Sequence, residues 1–315
     1  MKPFKKRNVS EYDQVVGYIS FLKYLITAFI RYRNTYCNYF SIMIAMLRKK
    51  YPIEAKLRNC RNLTLHNHFE IFLISVLQEH KEVEYDIIND RLTIPCLQCI
   101  ADNKTKEVKL YGSINNGDAL ATFIDNEYGL LPVEGRTVID IGANIGDTPV
   151  YFALRGADRV IGLEPFPRSY EIAKKNVELN NLSNKITLLL AGCAANQGHI
   201  TIDPDYISGI TSTLVDFKKG IRVPLLTLNN ILKQYNISSK DTILKMDCEG
   251  DEYQIILSTH EDTLQKFSQM QIEYHHGYIQ LKEKLERSGF EVSFTRPMWN
   301  YRKQYMGYIY AKRKE

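Results

Sequence analysis

"VIDIGANIGD", residues 138–147, decides how the chain is read. Val138, Ile139 and Ile141 make an apolar run of strand character, and Gly142 and Gly146 follow it at once, bracketing Ala143, Asn144 and Ile145. Asp140 stands just ahead of the first glycine. Asp147 stands just after the second, where the helix-like stretch DTPVYFALRGA (147–157) begins. A strand that runs through a glycine turn into a helix is the opening unit of a parallel α/β sheet. Glycine there permits a tight backbone path and a close approach of main chain to a ligand. Asp147 is placed to cap the helix.

The alternation continues outward. RVIGLEP (159–165) reads as a strand, PRSYEIAKKNVELNNL (167–182) as a helix and KITLLLAG (185–192) as a strand. Short strand-like pieces lie between 200 and 226. TLNNILKQYN (227–236), DTILKMD (241–247), EGDEYQIILST (249–259), MQIEYHH (270–276) and YIQLKEKLERSGF (278–290) then alternate helix, strand, helix, strand, helix. Two last strands, 291–296 and 306–312, have no helix between them. The expectation is a Rossmann-like, seven-stranded, doubly wound α/β sheet with a C-terminal antiparallel hairpin, occupying residues 116–315.

Residues 1–115 read as an N-terminal α+β appendage. Helical runs near 12–30 and 34–50 precede a hairpin of EAKLRN (54–59) and NLTLHN (62–67). The helix HFEIFLISVLQEH (68–80) and strands near 85–96 and 108–113 follow. The stretch VVGYISFLKYLITAFI (15–30) is the most apolar segment, but it is short for a membrane span and carries Lys23 in its middle. Two amphipathic helices packed on the rest of the protein are the expectation. Peripheral contact of residues 12–50 with an anionic membrane surface is the alternative. No secretory h-region follows the N-terminus, which predicts a cytoplasmic protein, membrane-associated in that alternative.

Composition bounds the function. The 315 residues are 44% hydrophobic and 24% charged, as in globular proteins. The formal net charge of +5 is mild, and the basic runs 5–7, 48–50 and 312–314 are short and scattered, which argues against a nucleic-acid partner. Of the six cysteines only Cys96 and Cys99 have ligand-like spacing, and with no second close pair no metal site is predicted.

In doubly wound sheets ligands bind beyond the carboxyl ends of the strands, where the strand order reverses. Gly142 and Gly146 lie past the first strand of the alternating part. Glu164 ends the second, where a carboxylate can accept both hydroxyls of a ribose. A dinucleotide site would carry G-x-G-x-x-G with amides at a pyrophosphate. Here Asn144 takes the middle position, and Asp140 and Asp147 flank the turn. An acidic turn repels a pyrophosphate and suits a cation. S-adenosylmethionine, a nucleoside with an ammonium and a sulfonium, fits. The expected cofactor-binding set is Asp140, Gly142, Asn144, Gly146, Asp147 and Glu164.

With GLEPFP (162–167) and ILKMDCEGDE (243–252), the opening stretch resembles the FkbM-type methyltransferases, a branch of the class I S-adenosylmethionine-dependent enzymes. The family's K-I-D-x-E-G reads here Lys245-Met246-Asp247-Cys248-Glu249-Gly250, and its Glu-Tyr-His reads Glu273-Tyr274-His275. The resemblance covers about 120–312. It implies methyl transfer to oxygen, often a hydroxyl of a sugar or another natural product. Where the family often has an acidic pair before that motif, this chain has Asn229-Asn230.

An alcohol acceptor must lose its proton. The candidates at the same sheet edge are Asp247, Glu249 and His275, with His275 preferred over His276. A histidine near its usual pKa of ~6.5 is a natural base at neutral pH. Lys245 is expected to pair with Asp247 or Glu249, and Cys248, between acids, to hold its proton. The chain has no Pro-Pro pair, whereas enzymes that methylate planar amines commonly grip them with an Asn/Asp-Pro-Pro-aromatic loop. An O-methyltransferase acting on a glycan, glycolipid or small metabolite is therefore the leading reading. An RNA methyltransferase and a non-catalytic nucleoside-binding scaffold are the alternatives.

Overall fold

The computed structural model describes residues 8–86, 88–101, 104–112, 118–206, 216–237, 241–299 and 304–314. Helix α1 (Glu11–Thr35) is capped by Ser10, whose side chain accepts the amide of Asp13. Helix α2 (Tyr39–Arg48) and the antiparallel hairpin β1 (Ile53–Lys56) and β2 (Asn62–Leu65) follow. Helix α3 (His68–Glu79) begins at Asn67, which accepts the amide of Glu70. Strands β3 (Glu84–Asp86), β4 (Arg91–Ala101) and β5 (Lys104–Tyr111) form a small antiparallel sheet. Cys96 on β4 is in a disulfide, and Cys37, Cys60, Cys193 and Cys248 are free.

After α4 (Asp118–Phe123) come β6 (Thr137–Ile141), α5 (Asp147–Leu154), β7 (Arg159–Glu164), α6 (Pro167–Leu179) and β8 (Ile186–Leu190). Strands β9 (Gly192–Cys193), β10 (Gly198–Ile202) and β11 (Ile221–Leu226) make a side sheet. Helix α7 (Leu228–Gln234) starts with a reciprocal capping box between Thr227 and Asn230. Asn230, which stands where the family often has an acid, therefore has a local helix-starting role. The chain ends with β12 (Thr242–Met246), α8 (Glu252–Ser258), α9 (Glu261–Leu264), β13 (Phe267–Tyr274), α10 (Ile279–Arg287), β14 (Phe290–Phe294), β15 (Met298–Trp299) and β16 (Tyr305–Arg313).

The main sheet runs β8-β7-β6-β12-β13-β16-β14, with the short β15 on the start of β16. Strands β6, β7, β8, β12 and β13 are parallel, while β16 runs antiparallel to both neighbours. The fold is thus the expected Rossmann-like doubly wound sheet. The final hairpin is present, but its second strand inserts between β13 and β14. The order reverses between β6 and β12, so a crevice opens at their carboxyl ends.

Each central strand is apolar on both faces because helices cover both. Val138, Val160 and Ile243 point into one cluster, shared with Val150 and Phe152 of α5, Leu73 of α3 and Leu92 and Leu110 of the small sheet. Their neighbours Ile139, Ile161 and Leu244 point into the other, with Leu232, Ile255 and Leu281 of α7, α8 and α10. The N-terminal elements therefore help to build the core. They are also docked by hydrogen bonds: Asn176 on α6 and Asn180 at its C-terminal cap accept the amides of Tyr111 and Lys109 at 2.7 and 3.1 Å.

Helix α1 departs from the packed helix expected of it. Only Asp13, Gly17, Tyr32 and Thr35 are buried along its length, and the apolar residues of its middle face outward.

The turn after β6 depends on one glycine. Gly142 has φ +81°, and a Cβ there would lie 1.8 Å from the carbonyl oxygen of Asp247. Gly142→Ala is expected to lower stability by more than about 3 kcal/mol, or to block folding, because strain and a backbone clash coincide. Thermal melting by circular dichroism checks this. An unchanged melting temperature would show that the turn relaxes freely.

Candidate active site

A cavity opens at the strand-order reversal, walled by the turns after β6, β7 and β12, by the end of β13, by α4, and by Tyr308 of β16. Six carboxyl side chains line it: Glu127, Asp147, Glu164, Asp247, Glu249 and Glu273. Lys245 is the one cationic residue among the lining residues. Burial and mutual repulsion push several of these acids upward. Burial brings Glu127 and Glu164 to about 7 and Asp147 to about 6. Burial also raises Glu273, helped by the nearby Asp247 carboxylate. Such a cavity favours a cation and disfavours a phosphate.

The first turn is fixed from three sides. The amides of Gly142 and Ala143 donate to the carbonyl of Leu163 at 3.1 and 2.9 Å. Glu164 accepts the amides of Asn144 and Phe166, one on each oxygen, both at 2.9 Å. Asn144 has φ +44°, a left-handed conformation that asparagine tolerates well. Each oxygen of Glu164 keeps a lone pair that can face the cavity. Gly142, Asn144, Asp147 and Glu164 are therefore all in the cavity wall.

The other two predicted cofactor residues are elsewhere. Asp140 is fully buried inside β6, 3.1 Å from Lys245 Nζ, and accepts the Thr148 hydroxyl at 2.5 Å. It is a structural partner and does not line the cavity. Gly146 lies against α6, where a Cβ would meet Ala173 at 3.0 Å, so its glycine serves helix packing. Gly142 answers to the Asp247 carbonyl as much as to any ligand. Asp147 does not cap α5, since Gly146 is the cap and the Asp147 carboxylate accepts the Thr122 hydroxyl at 2.8 Å.

Lys245 also differs from expectation. Its ammonium donates to the Gly142 carbonyl at 2.7 Å and pairs with Asp140, rather than with Asp247 or Glu249. Asp140, Asp247 and Asp147 together outweigh its desolvation and raise its pKa. It thereby ties β12 to the end of β6.

On the acceptor side, Asp247 and Glu249 line the cavity half-buried, and Glu249 takes a left-handed φ of +55°. His275 is 1% exposed and stands behind them. Its Nδ1 and backbone amide both meet Glu252 Oε1, at 3.1 and 3.0 Å. Its Nε2 lies 3.9 Å from Asp247 and 3.7 Å from Glu249. Burial opposes its charge, but Glu252, Glu273 and Asp247 prevail and push it up to about 10. An imidazole protonated at neutral pH cannot accept a proton, so the expected neutral base becomes a buried imidazolium. His276 is a loop residue that packs on the Tyr253 ring, and burial lowers its pKa. Cys248 holds its proton as expected, mainly through burial.

Glu273, Glu127 and Tyr308 line the wall and were not among the sequence candidates. Glu273 faces the cavity from the end of β13, opposite Tyr308 in the β13–β16 register. Tyr308 donates its hydroxyl to Glu127. Glu273 could have been found by its place at the end of a central strand. Glu127 sits in an irregular turn, and Tyr308 reaches the site only because β16 inserts beside β13. Asp247, Glu273 and His275 each bring a donor atom within 4.8 Å of one another, a set that could hold a divalent cation.

A family model for the methyltransferase FkbM domain matches residues 140–310. The chain belongs to the FkbM methyltransferase family. Two relatives accord with this. The methyltransferase sdnD of Sordaria araneosa is 23% identical over 215 residues, covering 56% of this chain and 82% of the relative. Methyltransferase 1 of Beauveria bassiana is 23% identical over 202 residues, covering 56% and 81%. Among solved structures, the METTL16 methyltransferase domain aligns with a TM-score of 0.42 and 18% identity, covering 85% of this chain and 91% of that one.

The imidazolium gives this FkbM protein a pH signature. The folded pKa of His275, about 10, lies above its unfolded value of ~6.5. Its contribution to stability is therefore fully present below pH ~6.5 and is lost as pH rises through about 10. Urea midpoints measured from pH 6 to 10 should fall across that range. In His275→Gln the fall should be shallower, and an identical slope would show that His275 is neutral in the fold.

Proposed function

We propose that this FkbM-family protein is an S-adenosylmethionine-dependent O-methyltransferase whose acceptor is a hydroxyl of a glycan, a glycolipid or a small metabolite. The observation that carries this reading is the cavity itself, with six carboxyl side chains against one ammonium at the sheet's strand-order reversal. Such a field attracts a sulfonium and repels a phosphodiester, which favours a small acceptor over RNA. Glu164 and the Gly142–Asn144 turn would hold the nucleoside, with the carboxylate as acceptor for the ribose hydroxyls. When bound, the donor supplies an activated methyl carbon bearing a neutral leaving sulfide.

The chain's own residues then position the acceptor and take its proton. Positioning supplies much of the rate in an in-line displacement. Asp247 would take the acceptor hydroxyl's proton, while the bound donor would supply the activated methyl group. Glu249 and Glu273 orient the hydroxyl. His275 holds Asp247 and Glu249 in place as a charged positioning residue, fixed in turn by Glu252. Six intact cavity carboxylates also argue against a scaffold that binds the donor without turnover.

Two outcomes follow from this assignment. Charge-assisted hydrogen bonds are worth roughly 1.5–3 kcal/mol each. Glu164→Ala should therefore weaken donor binding, measured by calorimetry, by about ten- to a hundredfold. Because Glu164 is pushed up to about 7, wild-type affinity should weaken as pH falls through 7, and Glu164→Gln should flatten that profile. Unchanged affinity would remove Glu164 from the site.

Transfer of labelled methyl from S-adenosylmethionine into extracts of the source cells would supply the acceptor. With it, Asp247→Asn should lower turnover by ~10²-fold or more, while donor affinity changes by less than about threefold. If the variant keeps full turnover and a pH–rate profile rising through about 7, the base is instead Glu127, whose pKa lies there.

A further inference from the structure

Helix α1 carries apolar residues at helical spacing on the face turned away from the protein. Val15, Ile19, Leu22, Ile26 and Phe29 recur at intervals of three and four, so they share one stripe, and Leu22 and Ile26 are 59% and 61% exposed. The opposite face carries the buried Asp13, Gly17, Tyr32 and Thr35. Helix α2 repeats the arrangement. Phe40, Ile44 and Leu47 share a face, with Phe40 65% and Leu47 83% exposed. The two stripes are continuous: the Phe29 ring meets Tyr39 at 5.7 Å, and Tyr39 meets Phe40 at 6.4 Å. A soluble surface rarely exposes so much contiguous apolar area.

The charge within the segment that bears this patch has one sign. The chain has 41 Lys and Arg against 36 Asp and Glu, and residues 14–53 contain six of the cations and none of the acids. The whole positive surplus of the chain thus lies in the segment that bears the stripe. Lys23, Arg33, Arg48, Lys49 and Lys50 are exposed, with long stems that can lie along apolar surface while their heads reach anionic groups. A second copy docking on this face would bring two positive rims together.

Helix α1 is long and apolar enough to cross a membrane, but both its ends are tied to the same body. Asp13 accepts the Tyr278 hydroxyl at 2.6 Å, and Asn8, just ahead of the helix, donates to the Gly277 carbonyl at 2.9 Å. At the other end Tyr36 is fully buried and donates to the Ile71 carbonyl at 2.7 Å, while Arg31 pairs with Glu79. Twenty-five residues extend roughly 37 Å, so spanning would put these partners on opposite sides of a bilayer.

We infer that the joined outer faces of α1 and α2 form a monotopic docking surface for an anionic lipid bilayer, with the stripe in the interface and the basic residues on lipid headgroups. The contact does not depend on the catalytic assignment. Flotation of the full chain tests it. The protein should rise with phosphatidylserine-rich vesicles and much less with phosphatidylcholine alone. Leu22→Asp with Ile26→Asp should abolish flotation, with melting temperature and donor affinity unchanged, since both side chains are exposed. Lys49→Glu with Lys50→Glu should weaken partition to anionic vesicles by at least about tenfold, and added salt should mimic that loss. Failure of the wild-type chain to float with anionic vesicles would overturn the inference. So would a dimer in sedimentation that Leu22→Asp with Ile26→Asp dissociates, because the face would then belong to a second copy.

Discussion

One buried ammonium organises the carboxyl edge of the sheet. Lys245 sits in β12, 2% exposed, and reaches across to β6, where it holds Asp140 and the Gly142 carbonyl. A lone ammonium in that place would lose its proton to desolvation, and a lone Asp140 would be driven neutral. Paired, Lys245 keeps its charge and offsets part of the burial that still holds Asp140 above the ordinary carboxylate range. Asp140 passes the tie on to α5 through Thr148. The two strands that flank the strand-order reversal, and the helix leaving it, are thus joined through one ion pair. The glycine turn takes its position from that pair. Removing either partner would leave a buried charge uncompensated, which typically costs several kcal/mol.

A second tie does the same work for the acceptor side. Glu252, at the start of α8, accepts the Gly250 amide at 2.8 Å and both the amide and ring nitrogen of His275. The turn after β12 and the end of β13 are therefore held to one carboxylate. Around it the left-handed Glu249 and the clash-limited Gly142 fix the backbone on which Asp247 stands. Residues that look functional in sequence, such as Asp140, Lys245 and His275, act by holding the others. The side chains that face the cavity are mostly carboxylates kept close together by these ties. Burial, with crowding behind it, raises the proton affinity of Glu127, Asp147, Glu164 and Glu273, and binding of a cation would offset it.

Most of the fold was legible because its signals are local. Alternating apolar strands and amphipathic helices with glycine turns predict a parallel sheet, and Glu164, Asp247 and Glu249 could be expected in the cavity wall because strand ends in such sheets face ligands. What escaped depended on contacts distant in sequence. Tyr308 enters the site only through the insertion of β16 between β13 and β14, and Glu127 lies in a turn without periodicity. Asp140 and Gly146, expected in the cofactor site, lie outside the cavity wall for the same reason. Their partners, Lys245 and Ala173, lie far along the chain, and the acid or glycine alone says nothing of which neighbour it serves. The shift of His275 likewise needs Glu252, Glu273 and Asp247 in space, not in order.

The outward stripe of α1 is the case where local pattern and tertiary context diverge most. An apolar stripe at helical spacing normally marks the buried face, because burial of each large side chain is worth roughly 1.5–3 kcal/mol. Here the buried face is instead the sparse one, where Gly17 brings the helix within 3.2 Å of the Pro297 carbonyl for any added Cβ, and Tyr18 and Phe21 meet Trp299 at 4.8 and 5.5 Å. The helix lies against β15 and the loop after β13, beside the same edge of the sheet as the cavity. The protein thus carries two fields of opposite sign. The acidic one suits a cationic donor, and the basic, apolar one suits an anionic surface. An acceptor carried on the proposed bilayer surface would meet the cavity without diffusing through bulk water, which would make the apolar stripe a means of raising acceptor concentration as well as a place of attachment.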